Sequence, residues 1–372
     1  MSKETIIFFG RMEWGFSNHL WHHLSREFAI DSNVYYVDPL YMITGELPLD
    51  VIKDSKDGKE LKIIRYGLSL WDKVPLMHKA KIKNRVRRLN QELQKHNLSS
   101  AILFFYNPWD AYDYRELIKK QIVVYYATDN AKELFNEPIK SEFVRREDWL
   151  CKRADLIFGL SRILTEDLAR KYPNKTYYIS EGVNPDVFEF KGKVFPFLKE
   201  KKMRACYMGT LDDSLDWDLL EKAAVELPEV EFILVGTLML HGLKKRFDGY
   251  KNVKFLGFQK YELLGSILGA VDVCLLMYKN NEFNRMRNPI KLLEYFAAGK
   301  VVVSTDFPIV HEYPELVLVA KNRDDFVKNI RLAITENLSQ KCRDKLLKTV
   351  RNNTWSKRKE EIKGLIYGLG KG

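Results

Sequence analysis

The sequence predicts an α/β protein built from two doubly wound domains that face each other across a cleft. Three observations carry this. Short β-branched or aromatic runs alternate with helical segments along the whole chain, the pattern of parallel sheets covered by helices on both faces. The alternation stops at a polar, Lys-rich, Pro-containing stretch, Phe190 to Lys202, and starts afresh beyond it. The chain has 372 residues, more than one core usually serves; single cores stop growing at roughly 250 to 300.

In the first domain, residues 1–189, the strands expected are Thr5-Phe9, Val34-Val37, Leu61-Tyr66, Ala101-Phe105, Val123-Ala127, Leu156-Leu160 and Thr176-Ile179, each a compact apolar run. Helices fit between them at Asn18-Phe28, Lys79-His96, Trp109-Lys119, Phe143-Arg153 and Ser161-Lys171, with Ser17 or Asn18 as N-cap of the first and Ser161 of the last. Residues 190–202 form the linker. The second domain, 203–354, repeats the pattern with strands at Arg204-Met208, Val230-Val235, Val253-Leu256, Val273-Met277, Val301-Thr305 and Leu316-Val319. Its helices lie near Asp216-Glu226, Tyr261-Gly269, Pro289-Ala298 and Arg323-Glu336. The terminal segment, 355–372, reads as a charged amphipathic helix with no strand after it, able to cap either domain, packing back on the first among the options. Ligands of such sheets sit outside the carboxyl ends of the strands, so those ends are where the site is sought.

A hydrophobic share of 46% and an aromatic share of 13% exclude a disordered or low-complexity chain. The cysteines, Cys151, Cys206, Cys274 and Cys342, are scattered without C-x-x-C spacing, against a zinc site or disulfide framework and in favour of a reducing, cytoplasmic setting. No run reaches the roughly 18 apolar residues a membrane span needs, and the N-terminus is too short before its first strand for a signal peptide. The net charge of +11 points to anionic partners. Lys79, Lys83, Arg87 and Arg88 belong to a basic run interleaved with apolar residues, which is either a solvated helix face or a surface for acidic lipid headgroups at the inner face of the cell membrane.

The most informative stretch runs from Asn288 to Thr305. Asn288 is a favoured N-cap, Pro289 suits the first helical position and Gly299 the left-handed stop, so the expectation is a sharply bounded helix running straight into a buried strand. Lys291 and Glu294 are three apart and share one face near its start. That pairing suits a nucleoside diphosphate, with Lys291 and the helix N-terminus for phosphate oxygens and Glu294 for ribose hydroxyls, and it equally describes a surface ion pair on a core helix.

The stretch resembles the donor-binding signature Pro-x-Lys-x-x-Glu-Tyr-x-Ala-x-Gly-x-Val-Val of the glycosyl transferases group 1 family, and within it the chain is most similar to teichuronic-acid type (TuaH-like) transferases. The similarity extends through Gly209-x-Leu211 with Leu215 to Leu220, Arg153 to Phe158 with Ser161, and Glu181 to Asn184 with Phe188. What the resemblance implies is a GT-B fold of two Rossmann-like domains, and a metal-independent hexosyltransferase that uses a UDP-linked sugar as substrate, without a cofactor. A lipid-linked sugar or polysaccharide of the cell envelope is the implied acceptor, and the implied setting is cytoplasmic and peripheral to the membrane. Glu294 is then the ribose-binding carboxylate, Lys291 a phosphate contact and Gly209 the loop glycine that lets phosphates approach the backbone. The donor-side set is Gly209, Thr210, Arg287, Asn288, Pro289, Lys291, Leu293 and Glu294, with Gly15 from the first domain.

Two departures stand out. The first acid of the family's Glu-x7-Glu pair falls on Met286, so the segment leaves the retaining or inverting outcome open. The basic pair that follows the loop glycine in many members is replaced by Thr210 and by Leu215-Asp216; Arg285, Arg287 and Lys279 are the candidates to supply that charge. A nucleotide-sugar epimerase and a non-catalytic binding module remain as alternatives.

In the first domain the loop Gly10 to Asn18 follows the first strand. It is not G-x-G-x-x-G, and no Walker A sequence occurs anywhere, so dinucleotide and ATP sites lack support. Asp129 follows the strand Val123-Ala127 and is the candidate general base for an acceptor hydroxyl, or else the N-cap of a helix near Ala131. His19, His22 and His23 form an H-x-x-H-H cluster without a carboxylate partner, so no metal site is expected. No nucleic-acid-binding module accompanies the basic run.

Overall fold

A computed structural model describes residues 4–15, 19–39, 50–56, 59–65, 86, 87, 89, 91, 101–118, 121–189, 202–336 and 339–369. The chain divides into two compact units, Met1–Ser180 with Arg358–Gly372, and Glu181–Lys357.

The first unit is a sheet of eight strands in the order β3-β4-β2-β1-β5-β6-β7-β8. They are β1 (Thr5–Phe9), β2 (Asn33–Val37), β3 (Asp50–Lys56), β4 (Lys59–Arg65), β5 (Ile102–Phe105), β6 (Ile122–Ala127), β7 (Leu156–Gly159) and β8 (Thr176–Tyr178). All neighbours are parallel except β3, which pairs antiparallel with β4 at the edge. The inner strands are apolar throughout because both faces are covered: Phe8, Phe104, Val124 and Phe158 are completely buried. β3 is not among the strands expected from sequence; its Asp-Val-Ile-Lys-Asp-Ser-Lys composition is that of an edge strand kept polar against further pairing. The described helices of this unit are α1 (Leu20–Phe28), α2 (Pro108–Asp113), α3 (Ile139–Arg153) and α4 (Arg162–Ala169). Ser161 caps α4, accepting from the Leu164 amide at 3.3 Å.

The second unit is a six-stranded parallel sheet in the order β11-β10-β9-β12-β13-β14. Its strands are β9 (Met203–Met208), β10 (Val230–Val235), β11 (Val253–Gly257), β12 (Val273–Leu276), β13 (Val302–Thr305) and β14 (Val317–Ala320). Its helices are α5 (Pro185–Phe188), α6 (Trp217–Glu226), α7 (Leu243–Phe247), α8 (Leu264–Gly269), α9 (Glu282–Arg285), α10 (Lys291–Ala297), α11 (Arg323–Thr335) and α12 (Gln340–Asn352). Residues 181–189, assigned on sequence to the first domain, belong here. Val183 and Phe188 are buried in this unit's core, and the Val183 amide donates to Asn353 O at 2.8 Å. The linker 190–202 lies outside the described residues except for Lys202. A final helix, α13 (Trp355–Gly368), joins the first unit from Arg358 onward; there Lys359 and Lys363 reach Asp31 at 3.2 and 2.8 Å.

Candidate functional site

In the second unit the candidate residues gather at the carboxyl ends of β9, β12 and the start of α10. Gly209, directly after β9, has φ +144, a backbone conformation open to glycine. A Cβ there would run into the Lys291 side chain. The space that a side chain would take is thus filled by the Lys291 stem. Gly236, after β10, makes the same kind of approach: its Cβ would meet Gly209 O. The Gly209 amide is used by Val235 O at 2.8 Å, and Thr210 beside it is exposed.

α10 is shorter than expected. It spans Lys291–Ala297 with Ile290 at the N-cap position, which places Asn288 and Pro289 in the turn leading in rather than at cap and first position. Pro289 O accepts the Leu292 amide at 3.1 Å, an i to i+3 bond that tightens this turn. The far end follows expectation. Gly299 has φ +71, its amide donates to Phe296 O, and that of Lys300 donates to Tyr295 O, both at 2.9 Å, which closes a Schellman motif.

Lys291 and Glu294 are not the surface ion pair the spacing equally allowed. Lys291 is half-buried, lies across Gly209 and places Nζ 5.9 Å from the Tyr207 ring centre. Glu294 is only 5% exposed, and burial pushes its carboxyl up to about 7, against the pull of Lys291 and of the Tyr261 hydroxyl beside it. Tyr295, next in the chain, turns the other way and accepts the Met208 amide at 2.8 Å, fastening α10 to the end of β9. Leu293, taken with the donor set, is 4% exposed and packs in the core.

Of the three cations considered as replacements for the missing basic pair, Arg285 is paired with Glu282 at 2.7 Å and Lys279 with Asp213 at 2.6 Å. Arg287 instead reaches the loop after Gly209, donating from Nη1 to Ser214 Oγ at 3.1 Å, with its guanidinium 4.8 Å from the Tyr278 ring centre and 5.2 Å from that of Phe283. Burial alone would raise the Tyr278 hydroxyl, yet Lys291 and Arg287 beside it hold it below its ordinary value. The structure thus brings Lys291, Arg287, Gly209, Thr210 and Glu294 into one neighbourhood. Tyr207, Ser214, Tyr278 and Asn284 were not singled out from sequence; the only signal they offered was position, each lying near the carboxyl end of a predicted strand.

In the first unit the ends of β1, β5 and β6 converge. Arg11 donates from Nη1 to Thr128 Oγ1 at 2.7 Å and to Asp129 Oδ2 at 2.9 Å. Asp129 is therefore a half-buried carboxylate held by a guanidinium, and Asn130 rather than Asp129 takes the cap position of the short turn Ala131–Leu134. Asp110, on α2, is completely buried, and burial, reinforced by Asp113, pushes its carboxyl up to about 7. The loop is braced from below: Tyr36 donates to Met12 O at 2.7 Å, and the Trp14 amide donates to Asp38 at 2.8 Å. Gly15 is exposed with φ +90.

His22 explains the histidine cluster. Its Nδ1 accepts the His19 amide at 3.2 Å and its Nε2 lies 3.1 Å from the Tyr36 hydroxyl, so both ring nitrogens serve packing. Burial, with the charge of its neighbours, lowers its pKa to about 2. His19 takes the N-cap position of α1; Ser17 and Asn18 lie outside the described residues. Among the described residues no group of three or more His, Cys, Asp or Glu could hold a metal. Arg87 is exposed, while Lys79, Lys83 and Arg88 lie outside the described residues. No described helix is long and apolar enough to cross a membrane.

The strands that position these groups, and the turn into α10, fall within a match to the family model for glycosyl transferases group 1, over residues 203–336. Residues 203–336 form a glycosyl transferases group 1 domain. The chain is also 24% identical over 241 residues to a protein of Bacillus subtilis named as a teichuronic acid biosynthesis glycosyltransferase, TuaH. The match covers 60% of this chain and 58% of that relative's length. Among solved structures, sucrose-phosphate synthase from Thermosynechococcus elongatus superposes with a TM-score of 0.75 at 14% identity, over 99% of both chains. Trehalose-6-phosphate synthase from Burkholderia multivorans gives 0.72 at 12% identity over 100% and 99%, and the E. coli protein bound with UDP-2-fluoro glucose 0.70 at 13% over 97% and 99%. At these identities the likeness shows the fold: two Rossmann-like α/β domains of the GT-B class.

Proposed function

We propose that this protein is a glycosyltransferase that moves a sugar from a UDP-linked donor, held by the second unit, to a lipid-linked or polysaccharide acceptor of the cell envelope, held by the first. The observation that carries this is the convergence of Lys291 and Arg287 on the loop after Gly209, with the buried Glu294 one helical turn from Lys291.

The chemistry follows from the groups. Departure of the nucleoside diphosphate builds negative charge on its phosphate oxygens. Lys291 and Arg287 are cations held ready for that charge, in the manner of an oxyanion hole and without a divalent ion. Glu294, once ionised, accepts from ribose hydroxyls and so orients the nucleotide. On the acceptor side, Asp129 is the carboxylate placed to take or orient a hydroxyl proton, with Arg11 setting its rotamer. The TuaH relative supports a cell-envelope acceptor, and the E. coli neighbour's UDP-sugar ligand supports uridine. The basic segment around Lys79 to Arg88 would favour residence at an anionic inner leaflet.

Calorimetry with UDP and GDP, followed by assay of UDP release from a panel of UDP-sugars with envelope-lipid acceptors, tests this reading. Saturable UDP binding and acceptor-dependent release support it. No binding of either nucleotide would overturn it, and an isomerised sugar nucleotide as product would replace it with epimerisation.

A further inference from the structure

We infer that Asn284 is a positioning residue for the diphosphate end of the donor site, acting through Arg287 and the loop after Gly209. The inference rests on the nucleotide-sugar reading. Asn284 sits on the four-residue helix α9 yet is only 1% exposed, and its amide is spent on three separate segments. Nδ2 donates to Ser214 O at 3.0 Å and to Lys279 O at 2.8 Å, while Oδ1 accepts from Arg287 Nη1 at 3.2 Å. The Lys279 amide returns a bond to Ser214 O at 2.9 Å, and Asn281 caps α9 by accepting the Asn284 amide at 2.8 Å.

One buried side chain therefore joins the loop that follows β9, the exit of β12 and the approach to α10. The side-chain type is demanding. Two carbonyls call for two protons and a guanidinium calls for a lone pair, and a primary amide supplies all three at once. The rings of Tyr278 and Phe283 flank the Arg287 guanidinium, and Asn284 and Ser214 both hold its Nη1. A free arginine loses considerable rotamer entropy on meeting a phosphate, and holding it in advance lowers that loss. The sequence has no cation directly after Gly209, and the Lys279 charge at this loop is spent on Asp213, so the charge at Ser214 comes from α10's approach, where Asn284 and Ser214 together hold Arg287 Nη1.

The test is a double-mutant cycle on UDP affinity by calorimetry, using the full chain as wild type, N284D, R287A and the double variant, with urea unfolding of each. N284D preserves shape, but it turns lone pairs on two carbonyls and pairs a carboxylate with Arg287. Expected are losses of about tenfold or more in each single variant, the size of a charge-assisted hydrogen bond, and a double variant no weaker than R287A alone. N284A, which deletes the amide without adding a charge, supplies the same cycle should N284D fail to fold. Losses that multiply in the double variant, or UDP binding by N284D equal to wild type, overturn the role of Asn284 and leave the nucleotide reading intact. Failure of the wild type to bind either UDP or GDP would instead remove that reading, and this role with it.

Discussion

Replacing Glu294 by Gln is expected to stabilise the unliganded protein and weaken its hold on the donor. The carboxyl is pushed from an ordinary 4.5 to about 7 by burial. Each tenfold change in an ionisation constant corresponds to about 1.36 kcal/mol, so keeping the charged form buried opposes folding by about 3 kcal/mol at pH 8. The sign is set by proton counts. Between about 4.5 and 7 the folded protein binds more protons than the unfolded chain, so this group's contribution falls as pH rises through that window and stays low above it. At pH 5 little of the difference remains, under about 1 kcal/mol. E294Q should therefore gain roughly 2 to 3 kcal/mol on wild type between pH 5 and pH 8, read by urea unfolding, or several degrees in Tm. Added UDP should reverse the order, because the amide cannot replace a carboxylate accepting from two hydroxyls, and affinity should fall about tenfold or more. A stability gap that is the same at pH 5 and pH 8 would refute the argument, as would undiminished UDP binding by E294Q.

K291A should weaken UDP binding about tenfold or more with an ordinary unfolding midpoint, and R287A likewise; if R287A binds as wild type while K291A does not, Arg287 is not a phosphate contact. Gly209→Ala forces both an unfavourable φ and a collision with the Lys291 stem, so it should lose about 1 to 3 kcal/mol in urea unfolding together with donor affinity. D129N should lower kcat by about 10²-fold or more while UDP affinity stays within a factor of two, and equal loss in both would make Asp129 structural. His22 is kept neutral by burial to about pH 2, so its contribution should fade as pH drops below about 6.5, where the unfolded chain takes up the proton. H22F should flatten the unfolding profile between pH 4 and 6.5.

The fold was legible because buried parallel strands are short, nearly uniform apolar runs, and strands such as Val230–Val235 and Ile122–Ala127 stand out on composition alone. β3 did not, since its composition is polar, as suits a strand at the edge of the sheet. The boundary expected at the polar stretch after residue 189 falls instead at Glu181: whether Val183 and Phe188 serve one core or the other is decided by packing, which local composition does not encode.

The sequence by itself determined the two α/β units, the Schellman stop at Gly299, and the pairing of Lys291 with Glu294 within one helical turn, all of which follow from local periodicity and backbone preference. Tertiary structure alone decided what those residues face. Lys291 and Glu294 could have been an exposed ion pair; the packing of α10 on β9 buries one and lays the other across Gly209. Arg285, Arg287 and Lys279 were all candidates on paper; the fold pairs Arg285 with Glu282, spends Lys279 on Asp213 of the loop after Gly209, and holds Arg287 on Ser214 of that loop through Asn284. Burial and partnership are properties of chain segments far apart in sequence, so the charge state of Glu294 and the placing of Arg287 could be read only once those segments had met.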